Sequence, residues 1–285
     1  MTTILAWNIQ CGRGVDGVVD LGRIAAVIRR LGDADVICLQ EVAQRMPELD
    51  DGAGADQVAD LAALFPEHEP LFGPALDLPG RSRGSRARFG NLILSRLPVL
   101  QAFRHFLPQP ADPEALHMPR QATEVVLAAA SGPLRVITTH LEYHSEIQRL
   151  AQVERLRELQ REVAENARRP PPRPRTGPYA DRPRPTRCVL CGDLNSRPGD
   201  AVHRRLLAPS GAEAPAFLDA WPLVHGSRPH APTCGIHDRR QWPEGPHCRD
   251  FFLVSADLAT AAAGFRVDGE TAASDHQPLL LELRI

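Results

Sequence analysis

The sequence predicts a layered α/β fold, two packed sheets with helices outside them, and three observations carry that expectation. Eight short runs rich in Val, Ile and Leu recur along the chain, each lying between turn residues. Helical periodicity is clear in three places. The 285 residues, 43% apolar and 24% charged, suffice for a sizeable core of ordinary globular composition.

The first run, Thr3–Ile9, carries Asn8 at its end. Asp20 then caps a helix with Leu21, Ile24, Ile28 and Leu31 on one face and Gly32 as its stop. Asp35–Leu39 leads directly into Gln40-Glu41, and Asp56 starts a shorter helix with Val58, Leu61 and Phe65. Asn91–Ser95, Thr123–Ala128 and Leu134–Thr139 follow as strands, the last running into His140. Ser145 to Asn166 is the strongest helical pattern. Ser145 and Gln148 have capping-box spacing, and Ile147, Leu150, Val153, Leu156, Leu159 and Val163 form an apolar stripe. Proline excludes residues 168–187 from helix or central strand, which makes them an Arg/Pro-rich surface loop, expected to be dispensable for folding. Three more strands complete the chain: Arg187–Cys191, running into Gly192-Asp193-Leu194-Asn195; Phe251–Val254, after Asp250; and Pro278–Ile285, after Ser274-Asp275-His276. Residues on both sides of the loop contribute to what reads as one site, so residues 1–285 are expected to form a single domain.

Several function classes are disfavoured at once. No apolar run approaches the roughly 20 residues of a membrane span. The N-terminus lacks a basic-then-apolar export segment, so the expected location is cytoplasmic. Six scattered cysteines then read as free thiols rather than a disulfide framework. A net charge of −2 gives no overall field for nucleic acid. All 33 basic residues are arginine, which reads as codon bias, so their number carries no weight.

The chemistry lies at the strand ends. Glu41 follows a buried strand, and Asp193 and Asn195, two residues apart in extended chain, point the same way. Hard oxygen donors of this kind suit Mg²⁺, which takes one or two carboxylates plus substrate phosphate. Imidazoles at His140 and His276 are placed to donate to phosphoryl oxygens or handle a leaving-group proton. Each piece alone is weak, because a carboxylate after a strand is usually a turn or cap residue and a lone histidine usually a satisfied polar one. Their conjunction is what counts.

Seven segments in order, Trp7-Asn8-Ile9, Leu39-Gln40-Glu41, Gly90-Asn91 to Ser95-Arg96, Thr139-His140-Leu141-Glu142, Cys191-Gly192-Asp193-Leu194-Asn195 to Pro198, Arg249-Asp250-Phe251-Phe252 and Ser274-Asp275-His276, resemble the endonuclease/exonuclease/phosphatase superfamily of DNase I-like phosphoesterases. The resemblance implies a four-layer α/β/β/α sandwich with its site where the two sheets meet at one edge. It implies Glu41 as principal metal ligand with Asn8 beside it and Asp275 as a further ligand, for Mg²⁺ with Mn²⁺ as the other candidate. It implies that Asp193 orients or deprotonates the attacking water, that Asn195 holds the phosphate, and that His140 contacts the phosphate or assists the leaving group. His276 becomes the second imidazole, oriented by Asp250, and Asn91 a supporting or phosphate-binding residue. Arg249 departs from the aromatic or Ile that many members carry before the aspartate. Cys234, His237, His247 and Cys248 match no standard zinc spacing and read as structural. His144, one helical start from His140, is a candidate to line the cleft.

Substrate is less legible, since the superfamily acts on nucleic acids, lipid headgroups and soluble phosphates. Arg81 to Arg88 and the Arg/Pro loop are candidates to reach a polyanion at the site rim. Only 5% of residues are aromatic, and no aromatic–basic stripe for stacking bases is visible. No hydrophobic hairpin or basic amphipathic helix suggests membrane insertion, and no obligate protein partner is expected. The reading is a Mg²⁺-dependent phosphodiesterase or nuclease acting on a phosphate ester such as DNA or RNA. The alternatives are a phosphomonoesterase for a small soluble or lipid-headgroup phosphate and a non-catalytic binding module. The last expects losses among Glu41, His140, Asp193 and His276, and none is lost.

Overall fold

Alternation along the first strand, β1 (Thr2–Asn8), decides the layering. Ile4 and Ala6 enter one buried cluster while Leu5 and Trp7 enter another on the opposite face. Neither face meets water, which is why the strand reads as an unbroken apolar run. The same division recurs throughout the computed structural model, which describes residues 1–170, 172, 176–211 and 214–285. Residues 171 and 173–175 of the expected Arg/Pro loop lie outside the described residues.

The remaining strands are β2 (Val36–Gln44), β3 (Glu69–Pro79), β4 (Arg86–Ser95), β5 (Val99–Phe106), β6 (Gln121–Ala129), β7 (Gly132–His140), β8 (Cys188–Asp193), β9 (Phe217–Asp219), β10 (Asp250–Ser255), β11 (Ala262–Val267) and β12 (Leu279–Leu283). They form two six-stranded sheets, ordered β11-β12-β1-β2-β4-β3 and β5-β6-β7-β8-β10-β9. Each sheet has one parallel pair, β1 with β2 and β7 with β8; the other pairings are antiparallel. Ligands of open α/β sheets bind beyond the carboxyl ends of parallel strands, and those four ends lead to Asn8, Glu41, His140 and Asp193.

Between the sheets, Ile4, Val36 and Ile93 meet Val125, Val136, Val189 and Phe252. Outside the first sheet, Leu5, Ile37 and Leu94 pack under Ile24 and Ile28 of α1 (Leu21–Leu31) and Leu61 of α2 (Gln57–Leu64). Outside the second, Ile137, Leu190 and Leu253 pack under Val153, Leu156 and Leu159 of α3 (Glu146–Arg168) and Val202 of α4 (Ala201–Leu207). A short α5 (Ala220–His225) follows β9. The result is the four-layer α/β/β/α sandwich, and all six cysteines are free and buried.

The three expected helix starts form, with Asp20, Asp56 and Ser145 each accepting from the backbone N–H three residues on. The capping box at α3 is only half made, because the Gln148 side chain donates to the carbonyl of Pro110. Ile147, expected in the apolar stripe, is 58% exposed. Gln148, Gln152 and Gln160 are buried in its place, where their amides satisfy the carbonyls of Pro110, Pro108 and Thr186. All eight expected strands are present. The four that were not expected, β3, β5, β9 and β11, are the four sheet edges.

The Arg/Pro loop differs from expectation. Arg184 places its guanidinium 2.8 and 2.9 Å from the two oxygens of buried Glu124 and 4.5 Å from the centre of the Phe103 ring. The carbonyls of Pro183, Pro185 and Thr186 accept from Gln101, Arg135 and Gln160. This anchored segment enters β8 at Cys188, at the opposite end of the strand from Asp193 and about 16 Å of extended chain away. The end of the loop, residues 183–187, is therefore anchored and remote from the site rim. In the β3–β4 hairpin, which extends past Asn91, Arg86 and Arg88 are both paired with Asp77.

Candidate active site

Backbone irregularities aim the strand ends at one another. A bulge interrupts the β2–β4 ladder between Leu39 and Val42, and Glu41 within it has φ +57°, a conformation rarely held by a non-glycine residue. Next to Asp193, Gly192 has φ +127°, and a Cβ there would lie 2.0 Å from the Thr139 carbonyl oxygen. Only glycine lets β8 close on β7 at this point, which explains the Gly-Asp pair. Register then sets His140 beside Asp193 and Asp250 opposite it. The Ser274-Asp275-His276 segment is tied to the first sheet, with Ser274 donating to the Asn8 carbonyl at 2.8 Å and the Trp7 indole N–H donating to that of His276 at 2.9 Å.

The expected residues other than Asn91 form one connected network. Asn8 Nδ2 donates to Glu41 Oε1 at 2.9 Å and to Asp193 Oδ2 at 3.2 Å, bridging the two sheets. Asp193 Oδ1 accepts from the Asn195 backbone N–H at 2.8 Å. Its Oδ2 lies 3.4 Å from His140 Nε2 and 3.6 Å from His276 Nε2. Asn195 Nδ2 donates to the Leu141 carbonyl at 2.9 Å and lies 3.0 Å from His140 Nε2. His276 Nδ1 is 2.8 Å from Asp250 Oδ2, which also accepts from the Thr233 hydroxyl at 2.6 Å. Asp275 Oδ2 accepts from the Trp242 indole at 3.1 Å. Asn91 is set back from the cleft and donates to the Gln121 carbonyl at 2.9 Å, which ties β4 to β6. That position suits a brace rather than a phosphate contact.

Burial and neighbouring charge divide the titratable groups. Burial alone would lower the His276 pKa, but Asp250, Asp275 and Asp193 surround the ring and hold it well above the usual histidine range. His140 is pushed down to about 3 by burial and by the Arg120 guanidinium, so it is neutral. Glu41 is pushed up to about 7, by burial first and then by Asp275. A half-buried carboxylate whose ionisation is made costly by burial and by a neighbouring carboxylate, with the Asn8 amide 2.9 Å away, fits a divalent cation such as Mg²⁺. Asp193, Asp250 and His276 also offer atoms within 4.8 Å of one another. Asp250 is already committed to Thr233 and His276, however, and a protonated imidazole cannot ligate. That trio reads as a hydrogen-bond relay.

Arg120, Tyr143 and Trp242 at this cleft were not anticipated. Arg120 is buried, with Nε 3.2 Å from Glu142. Nothing in the sequence separated it from the other arginines. Tyr143 and Trp242 line the same cleft, and Arg249 lies over both rings, 5.5 and 4.8 Å from their centres. His144 packs edge-on against Tyr143. The cysteine–histidine residues form no common cluster among the described residues: Cys234 Sγ is 3.3 Å from His247 Nε2, His237 Nε2 is 3.0 Å from the Gly269 carbonyl oxygen, and Cys248 donates to that of Asp250.

The sequence profile of the endonuclease/exonuclease/phosphatase family matches residues 5–276. No curated protein matches the chain significantly. Among solved structures, an endonuclease/exonuclease/phosphatase from Beutenbergia cavernae is 24% identical with a TM-score of 0.67, over 100% of this chain and 71% of that one. A mannosyl-6-phosphatase from Bacteroides thetaiotaomicron is 16% identical with a TM-score of 0.69, over 100% of both chains. A 3′ phosphatase from Neisseria, bound to a product DNA hairpin, is 21% identical with a TM-score of 0.60, again over 100% of both. These likenesses show the fold, and the profile match shows the family. The chain belongs to the endonuclease/exonuclease/phosphatase family, whose members are metal-dependent hydrolytic phosphoesterases.

Proposed function

We propose that the chain is a Mg²⁺-dependent phosphodiesterase, with a nuclease as the leading case, cleaving P–O bonds by in-line attack of water. The observation that carries this reading is a cleft open beyond its catalytic floor. Asn195 lines both the central cleft and an adjoining groove between the starts of α3 and α4, with Arg149 and Ser196. A diester carries two organic groups and needs room on both sides of the phosphorus. Glu41, with Asn8 and Asp275, would hold the cation, which supplies positive charge to the phosphoryl oxygens. Asp193, kept ionised, takes the proton of the attacking water and orients it. Asn195 offers its amide to the phosphate. His276, held charged by Asp250, donates to an equatorial oxygen, and neutral His140 assists beside it. Asn91 braces this arrangement from the first sheet. Mn²⁺ suits the same oxygen donors. Six buried free thiols favour a reducing compartment such as the cytoplasm.

A monoesterase is the second reading, favoured by the likeness to two structures named as phosphatases. Retention of Glu41, His140, Asp193 and His276 in one network argues against a non-catalytic module. Assays with bis-p-nitrophenyl phosphate, p-nitrophenyl phosphate and plasmid DNA, each with Mg²⁺ and with EDTA, separate the readings. EDTA-sensitive hydrolysis that is faster on the diester is expected. A faster monoester reaction would sink the diesterase reading.

A further inference from the structure

The low aromatic content hides a cluster that folding assembles from three separate segments. Tyr143, three residues after His140, is 42% exposed and lines the catalytic cleft. Its ring is held on several sides: Arg249 lies over it at 5.5 Å, Trp242 meets it at 6.2 Å and 74°, and His144 at 4.7 Å and 88°. The backbone beneath is equally fixed. Buried Glu142 accepts from the N–H groups of His144 and Met118, and Arg149 donates to the carbonyls of Glu142 and Tyr143. A rigid, partly exposed ring backed by a guanidinium binds a flat partner at little entropic cost. Of the three aromatic side chains that line the cleft, Trp242 is only 2% exposed and serves the site through Asp275, Phe89 is half-buried, and Tyr143 is the most exposed.

We propose that Tyr143 is a stacking platform for a planar ring carried by the substrate, which makes the substrate a nucleotidyl ester with its base lying on Tyr143 and its phosphate over Asp193. This rests on the phosphodiesterase reading and narrows it. Base–aromatic stacking is sequence-tolerant and contributes about tenfold in affinity per base. The platform therefore selects for a base without selecting which one.

The test compares AMP with ribose 5-phosphate, which carry the same phosphate and sugar, by calorimetric titration in Mg²⁺. AMP should bind about tenfold tighter to the wild type. Tyr143→Phe should keep that ratio, whereas Tyr143→Ala and Tyr143→Leu should bring it close to one, with unchanged thermal midpoints showing that all variants are folded. Equal binding of the two ligands to the wild type, no measurable AMP binding, or an AMP preference that survives Tyr143→Ala would each overturn the proposal. Hydrolysis of bis-p-nitrophenyl phosphate by the same wild-type preparation reports on the diesterase reading separately, so either can fail alone.

Discussion

Glu41 sits at an energetic compromise. Its φ of +57° and a pKa pushed up to about 7 are both costs, and both favour a position that a cation will occupy. A cation binds the carboxylate form, so below pH 7 protons compete with it. Mg²⁺ affinity should therefore rise as pH is raised from 6 to 8 and level off above. Calorimetric titration of the wild type should show this slope, and Glu41→Gln should bind weakly with the slope gone; equal affinity of the two proteins would remove Glu41 from the metal site. The His276–Asp250 contact of 2.8 Å makes a second claim. Asp250→Asn should lower turnover by about 10²–10⁴-fold while the protein stays folded. Added to His276→Ala it should cost almost nothing more, because the two act as a unit. Additive losses in that double-mutant cycle would mean that Asp250 acts elsewhere. Residues such as these were legible because each closes a buried strand or stands in a short distinctive triplet. Arg120 was not, since its meaning comes from Glu142 and His140, which no spacing links to it.

Edge strands explain most of what the sequence withheld at the level of elements. The eight strands that were legible are the interior ones, apolar on both faces, and the four that were missed border the sheets. β3 carries three prolines and a glycine, and β5 has Arg104 and His105 towards its end. Both compositions are tolerated where one side of the ladder is unpaired. The anchor at the end of the Arg/Pro loop was not legible for a related reason: proline content shows what a segment cannot be, not what it touches. Glu124 on β6 is fully buried among Arg184, His105 and Arg135, and its pKa lies below the ordinary carboxylate value. A depressed folded pKa gives stability that is present above the unfolded value of about 4.3 and lost as pH falls below it. Arg184→Ala should accordingly cost about 2 kcal/mol at neutral pH. That difference should shrink below pH 4 in urea melts. A variant as stable as the wild type at pH 7 would show that the loop anchor is ornamental.

At the scale of the whole molecule, the four-layer arrangement follows from alternation on the interior strands, but where the sheets meet does not. Strand order depends on pairings between distant segments, such as β1 with β12, that no local pattern records. The resemblance carried by seven short segments supplied the edge at which the sheets meet, but not the strand order. One consequence of the strand order concerns synthesis. All strands of the second sheet come from one uninterrupted stretch, residues 99–255, whereas the first sheet is built from the two stretches that flank it. As the polypeptide leaves the ribosome, β1 emerges long before β12, its neighbour, and waits until the whole second sheet has been made. Until then β1 is an open border able to pair wrongly. Asp275 and His276 arrive with that same later segment, so a nascent chain can carry a finished second sheet, with His140, Asp193 and Asp250 in register, while the proposed site is still incomplete. The proposed site closes only when the later stretch of the first sheet docks beside the earlier one.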